Sequence, residues 1–184
     1  SHPDRDKLRG RIWRVRHRDQ PRKPPPDLTR LDDQALLAQL GGPNALVSRL
    51  AWLEVTDRRA TGLIPALTAI VAERSTPLDR RLAALWALEG LQPVPAALLA
   101  TLAADPHPAC RREAVRLAAA QARSESDFLA LAAPLVDDPH PAVRAELGDG
   151  LRRVPGAGPA LMQVAARLGR ESLGKAAGEW ERYE

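Results

Sequence analysis

The sequence predicts an all-α chain: a solenoid of about five helix pairs, preceded by an extended strand stub and a Pro-rich linker. Three observations carry this reading. The 184 residues include 33 Ala and 28 Leu, while aromatics are only 3%. That is the composition of packed helices rather than of sheets, which favour aromatic and β-branched residues. Apolar segments of roughly ten to seventeen residues alternate with breakers from Leu31 onward, as helical hairpins do. One heptapeptide recurs at the distance expected of a helical repeat.

Residues 1–27 stand apart. After Gly10, Ile12, Arg14, Arg16 and Arg18 fall on one side of an extended chain and Arg11, Trp13, Val15 and His17 on the other. This is a short period-2 strand signal. No later segment offers a strand to pair with it, and a lone strand is not stable. The stub is therefore either disordered or paired outside this chain. Pro21 and Pro24-Pro25-Pro26 follow as a stiff polyproline II linker. The sequence opens Ser1-His2 without Met, which suggests a piece of a larger protein.

Residues 28–184 are the helical region. Breakers fall at Gly41-Gly42-Pro43, Thr61-Gly62, Ser75-Thr76-Pro77, Gln92-Pro93, Asp105-Pro106, Ser124-Glu125-Ser126, Asp138-Pro139 and Pro155-Gly156. Between them Leu recurs at three and four. Leu82, Leu85 and Leu88, or Leu46, Leu50 and Leu53, give the buried stripe of an amphipathic helix. Gly148 and Gly150 weaken the helix they lie in. Trp180 and Tyr183 close the sequence in a final helix.

The repeat is the strongest signal. Asp105-Pro106-His107-Pro108-Ala109-Cys110-Arg111 returns as Asp138-Pro139-His140-Pro141-Ala142-Val143-Arg144. An earlier copy places Pro77 over Pro108 and Arg80 over Arg111, with Ala83, Ala114 and Leu147 as core positions. A weaker one places Ser48 at the Arg position and Ala51 in the core. Each Asp closes an inter-helix turn, and each Pro suits a first helical turn, where its missing N–H costs nothing. Arg80, Arg111 and Arg144 then line one edge of successive hairpins. There they reach Asp105, Asp138 or the carbonyls of a neighbouring repeat, as a structural ladder.

Charge and chemistry narrow the function. Residues 1–30 hold ten basic and four acidic residues, a local +6. Residues 31–184 hold 17 and 19, a net −2. A nucleic-acid groove needs its positive charge along the folded array, so this distribution disfavours nucleic acid as a partner. One Cys excludes an internal disulfide, a Cys-based zinc site and a Cys-x-x-Cys-His haem attachment within these residues. No apolar run is long enough to span a membrane, and no signal peptide is visible. His107 and His140 are matched, but stacked repeats hold equivalent positions about 10 Å apart. They read as helix-start residues rather than metal ligands. Cys110, replaced by Val143 in the next copy, reads as a small buried apolar residue. Trp52 and Trp86 occupy corresponding places and read as core rather than a stacking platform. Glu89, Glu113 and Glu146 read as exposed helix-face residues. No catalytic, metal or cofactor-binding residue is expected.

The Pro-x-x-Arg spacing and the hairpin period resemble the HEAT repeat. Gly10-Arg11-Ile12-Trp13-Arg14-Val15, then Leu36-Leu37-Ala38-Gln39-Leu40 with Pro43-Asn44, then Arg81-Leu82-Ala83-Ala84-Leu85-Trp86-Ala87-Leu88-Glu89-Gly90-Leu91, together resemble planctomycete-type membrane-bound dehydrogenases. Those proteins join a sorbosone/glucose dehydrogenase-like β-propeller to HEAT repeats and a c-type cytochrome domain. The resemblance implies a non-catalytic scaffold between the two redox domains, docking protein and exported with its parent. Two other functions fit the residues: a stand-alone cytoplasmic HEAT adaptor, and a HEAT-like nucleic-acid-binding or repair protein.

Overall fold

The computed structural model describes Asp19, residues 26–156 and residues 158–180, with side chains described up to residue 170. The expected strand stub and nearly all of the linker lie outside the described residues. Among the described residues there are nine α-helices and no strand: α1 (Asp33–Gln39), α2 (Ala45–Asp57), α3 (Ile64–Ala72), α4 (Leu78–Leu91), α5 (Ala96–Ala103), α6 (Pro108–Gln121), α7 (Glu125–Ala132), α8 (Pro141–Arg153) and α9 (Pro159–Trp180). Four successive pairs, α1–α2 to α7–α8, precede one long helix, where the sequence suggested about five pairs. No described helix is long and apolar enough to cross a membrane.

Local chemistry sets the helix starts. Asp32 Oδ1 accepts from Ala35 N at 2.7 Å, Asn44 Oδ1 from Leu46 N and Val47 N, and Ser124 Oγ from Asp127 N. Each satisfies donors that a first helical turn leaves open. Pro65, Pro108 and Pro141 sit in first turns, where no partner is lost. The Glu125 carboxylate reaches across to cap α9, accepting from Gly158 N at 2.8 Å and Leu161 N at 2.9 Å. Before α1, a 3-10 turn at Leu28–Arg30 is fastened to the end of α2. The Arg58 guanidinium donates to the carbonyls of Leu28, Thr29 and Leu31, and also to Glu54.

α2 packs on α4 and α6 on α8, with α4 and α6 joined by side-chain bonds, in one row; α3, α5 and α7 pack in succession in the other. Two hydrophobic cores lie between the rows. The first runs from Leu28 through Leu36, Val55, Leu67, Leu85 and Leu88 to Leu117; the second runs from Val115 through Phe128, Val143 and Leu147 to Leu168. α6 belongs to both, giving Cys110, Ala114 and Leu117 to one and Val115, Ala118 and Ala119 to the other.

Packing corrects the phase read on two helices. On α2, Ser48, Ala51 and Val55 are buried, while Leu46, Leu50 and Leu53 are exposed. The leucines were expected in the core, but α2 packs its small residues inward, where α1 and α4 come close. On α4, Arg81 rather than Arg80 takes the position of Arg111. Arg81 is 4% exposed, and Ala84 and Leu88 share its face as Ala114 and Ala118 share that of Arg111. Arg80 turns one position away; its Nη1 lies 3.5 Å from the Leu40 carbonyl. The turn before α4 is one residue longer relative to its helix than a Pro-to-Pro match assumes. Arg80 thus makes the expected kind of carbonyl contact, to Leu40 of the preceding pair, while Arg81 takes the bond to the turn aspartate.

Two glycines are fixed by close approach. Gly41 has φ +68°, and a Cβ there would fall 2.2 Å from the Arg80 Cα. Gly150, placed inside α8 where its helix propensity is poor, lets α8 lie on α6 and Phe128. A Cβ would stand 2.9 Å from Phe128 Cζ and 3.2 Å from Ala119 Cβ. Gly169 on α9 has nothing within 4 Å. We expect Gly41→Ala and Gly150→Val each to lower unfolding free energy by about 2 kcal/mol, from strain and overpacking. Gly169→Ala should raise it by up to about 1 kcal/mol through helix propensity. Urea unfolding midpoints of the three variants check this ordering.

Candidate functional site

The repeated turn is built around its aspartate. Asp105 Oδ1 accepts from the His107 backbone N–H at 2.9 Å, and Asp138 Oδ1 from that of His140 at 2.9 Å. The next histidine atoms complete the helix start: His107 Nδ1 accepts from Ala109 N and His140 Nδ1 from Ala142 N, both at 3.2 Å. Each Asp also receives an arginine from the preceding pair. Arg81 Nη2 donates to Asp105 Oδ2 at 2.6 Å, and its Nε to the Val71 carbonyl at 3.0 Å. Arg111 bonds Asp138 with two nitrogens, Nε at 2.6 Å and Nη2 at 2.9 Å, while Nη1 donates to the Asp105 and Pro106 carbonyls at 2.9 Å. Asp105 is 2% exposed and Asp138 5%.

Arg144 behaves differently. Its Nη1 donates to the Asp138 carbonyl at 2.5 Å, within its own turn. The expected bond to a neighbouring repeat is absent among the described residues, and the buried Nε has no hydrogen-bond partner.

A second polar cluster lies on the outer side of the same row, between α4 and α6. Glu113 is buried at 3% exposure. It accepts from Trp86 Nε1 at 3.1 Å, Arg116 Nε at 2.8 Å and Arg112 Nη2 at 3.2 Å. Arg116 grips Glu89 with both terminal nitrogens, at 2.9 and 2.6 Å. Glu113 was expected on an exposed helix face; it is enclosed because Trp86, Arg112 and Arg116 cover it. Glu89 is half-buried in the same network. Trp86 stacks against Trp52 of α2, with ring centroids 5.2 Å apart and planes tilted by 41°. Both tryptophans are half-buried and line a cleft of about 390 Å³ with Arg49, Asp79 and Leu82. The first core holds neither in its interior. Below the cluster, the Gln121 amide clasps Val94, accepting from its N–H at 2.7 Å and donating to its carbonyl at 2.9 Å.

Four of these bonds share one spacing, while Arg81 to Asp105 spans 24 residues. Trp86 to Glu113, Glu89 to Arg116, Val94 to Gln121 and Arg111 to Asp138 are all 27 residues apart. The sequence reading missed Arg116 and Gln121, although Glu113-x-x-Arg116 has the spacing of an intrahelical ion pair. The remaining surface of α8 repeats the theme locally, with Arg153 on Glu146 and Asp149.

Protonation follows the geometry. The Arg111 guanidinium holds the Asp138 carboxyl below its ordinary value, overcoming burial and helped by the His140 N–H. Burial pushes Asp105 and Glu113 upward, but their bonds outweigh it and both end below normal: Arg81 and the His107 N–H for Asp105, Arg116 and Trp86 for Glu113. Burial raises the Cys110 thiol to about 11, so it is protonated at neutral pH and a poor nucleophile. Among the described residues no three of His, Cys, Asp and Glu are grouped to hold a metal. The carboxylates of this face stay ionised and paired. They suit positioning and recognition rather than proton transfer near pH 7.

No known protein family, characterised protein or solved structure matches the chain.

Two outcomes follow from the ladder. Arg111→Met leaves the buried Asp138 without its guanidinium and should cost about 3 kcal/mol. Arg144→Met removes one bond to a carbonyl and should cost about 1 kcal/mol. Chemical denaturation of both variants compares them directly. The second concerns pH. Asp105, Asp138 and Glu113 have depressed folded-state values, so their stabilisation is complete above their unfolded values of about 4. It is lost as pH falls below that, through the lower folded values. Melting temperature should therefore drop steeply below about pH 4. Asp138→Asn should start lower at pH 7 and fall less.

Proposed function

We propose that the chain is a non-catalytic HEAT-like helical-repeat scaffold that docks protein on the row formed by α2, α4, α6 and α8. The observation that carries this reading is the bond from a second-helix arginine to the buried aspartate of the next pair's turn, made by Arg81 to Asp105 and again by Arg111 to Asp138. A unit that bonds to its successor through equivalent positions is the behaviour of a stacked repeat. Such repeats present one row of helices as an extended binding surface. In this chain that row carries the tilted Trp52–Trp86 pair, the cleft beside it and the Glu89–Arg116–Glu113 network. Half-buried tryptophan and paired arginine are residue types that concentrate binding energy in protein interfaces. The near-neutral charge of residues 31–184, together with the engagement of Arg81, Arg111 and Arg116 by carboxylates, leaves little for tracking phosphates.

The resemblance to planctomycete-type membrane-bound dehydrogenases names the partners this scaffold would serve. They would be a propeller and a cytochrome domain of one parent protein, held at a fixed spacing, and the scaffold would be exported with them. A stand-alone cytoplasmic adaptor would use the same surface on a different protein.

The test uses two charge substitutions on opposite rows. Leu82→Lys places a cation in the Trp52–Trp86 cleft, while Arg123→Glu alters the groove of about 770 Å³ bounded by α5 and α7. A propeller or cytochrome domain from the parent should bind the native chain and Arg123→Glu alike, and bind Leu82→Lys at least tenfold more weakly, with helicity unchanged by circular dichroism. Binding lost on Arg123→Glu and retained by Leu82→Lys would move the docking surface to the other row.

A further inference from the structure

Leu46, Leu50 and Leu53 are 63%, 43% and 38% exposed. With Met162 they make up the exposed large hydrophobic residues among those described. Three of the four thus share one face of one helix, directly opposite its buried Ser48, Ala51 and Val55. Isolated exposed leucines need no explanation, but a stripe of three does. Their spacing of four then three is that of d, a and d positions in a two-stranded coiled coil.

The flanks of the stripe choose its occupant. In that register Arg49 takes a g position and Glu54 an e position. Arg49 has no ion pair among the described residues. Glu54 gives Oε1 to Arg58 at 2.7 Å, and its Oε2 accepts no bond there. The stripe is therefore bordered by one positive and one negative side chain, on opposite sides. A uniformly acidic or uniformly basic partner helix satisfies only one flank. A second copy of the same helix, laid parallel, satisfies both: a g residue faces the e residue five positions on in the partner strand, so Arg49 meets Glu54 of the other copy, twice by symmetry. An antiparallel pair sets g against g and e against e, and neither charge then finds its complement.

We infer that α2 is a self-association surface, on which two copies of this chain pair through parallel α2 helices. Leu46, Leu50 and Leu53 meet their counterparts, and two Arg49–Glu54 pairs fix the orientation. None of the three leucines lines the tryptophan cleft of the docking row, although Arg49 borders both, and the inference stands or falls without that docking. The seam is short, since α2 spans 13 residues, or about 20 Å. The association is accordingly reversible and concentration-dependent.

Sedimentation of the full chain from about 1 to 200 µM, a range bracketing micromolar affinity, tests it. The expected result is a monomer–dimer equilibrium within that range, abolished by Leu50→Lys and weakened about tenfold by Arg49→Glu. Orientation is read from the Leu46→Cys variant, since Cys110 is buried. Under mild oxidation a parallel pair links the introduced thiol to its own counterpart, and the link disappears when Leu50→Lys is added. Both substitutions are at exposed positions, and circular dichroism confirms that the fold is kept. A chain monomeric at 200 µM, a dimer indifferent to Leu50→Lys, or a Leu46→Cys dimer that resists cross-linking would each overturn the inference.

Discussion

Buried aspartates in the inter-helix turns hold one helix pair against the next, and the rest of the arrangement depends on them. Asp138 shows how. Its carboxylate takes two bonds from Arg111 of the preceding pair and one from the His140 N–H of its own turn, while its carbonyl takes Arg144. A 5%-exposed carboxylate is tolerable only because those donors are all present. The same bonds fix three things at once. They set the turn geometry, the start of α8 and the register of α8 against α6. Asp105 repeats the device one pair earlier with Arg81 and His107. Arg111 also donates to the Asp105 and Pro106 carbonyls of the preceding turn, and Arg81 to the Val71 carbonyl at the end of α3, so the charges of the ladder are satisfied inside the protein.

The cores show why such fastening is needed. α6 is shared between two hydrophobic clusters rather than buried in one. On its α4 side the first core is supplemented by long polar side chains, Trp86, Glu89, Glu113 and Arg116, bonded between the two helices. On its α8 side Ala119 and Gly150 let the backbones approach around Phe128. The two sides of one helix thus use different means of cohesion. The polar side leaves a tryptophan pair and a charged network at the surface, while the small-residue side leaves charged pairs local to α8. That difference places the candidate docking features on the N-terminal half of the row.

The all-helical class was legible in the alanine and leucine content and in the spacing of the breakers. The Asp-Pro-His-Pro turn was legible because the sequence repeats it almost unchanged. The earlier copy was harder to place. Pro77 precedes α4, whereas Pro108 lies inside α6, so matching proline to proline shifts the arginine by one residue and selects Arg80 over Arg81. On α2, leucine spacing alone picks out a face but cannot say whether it points inward. The inward face carries Ser48, Ala51 and Val55, small residues that a hydrophobicity count undervalues and that close packing prefers. Glu113 was misread for a related reason. A glutamate in a helix is ordinarily solvated, and its burial depends on Trp86, which is 27 residues away. Contacts at that separation show in the sequence only once the repeat's pairing register is known.

The claim that one interaction carries the register is tested most directly by a double-mutant cycle on Arg111 and Asp138. Arg111→Met, Asp138→Leu and the double variant are unfolded in urea at pH 7. Because the pair is buried, bidentate and fully enclosed by other bonds, each single substitution strands a partner, and the double one does not. The account predicts a coupling energy of at least about 2 kcal/mol, with the double variant more stable than Arg111→Met alone. Additive losses, with a coupling below about 0.5 kcal/mol, would contradict it. They would mean that the apolar cores alone set the register and that the aspartate ladder merely decorates it.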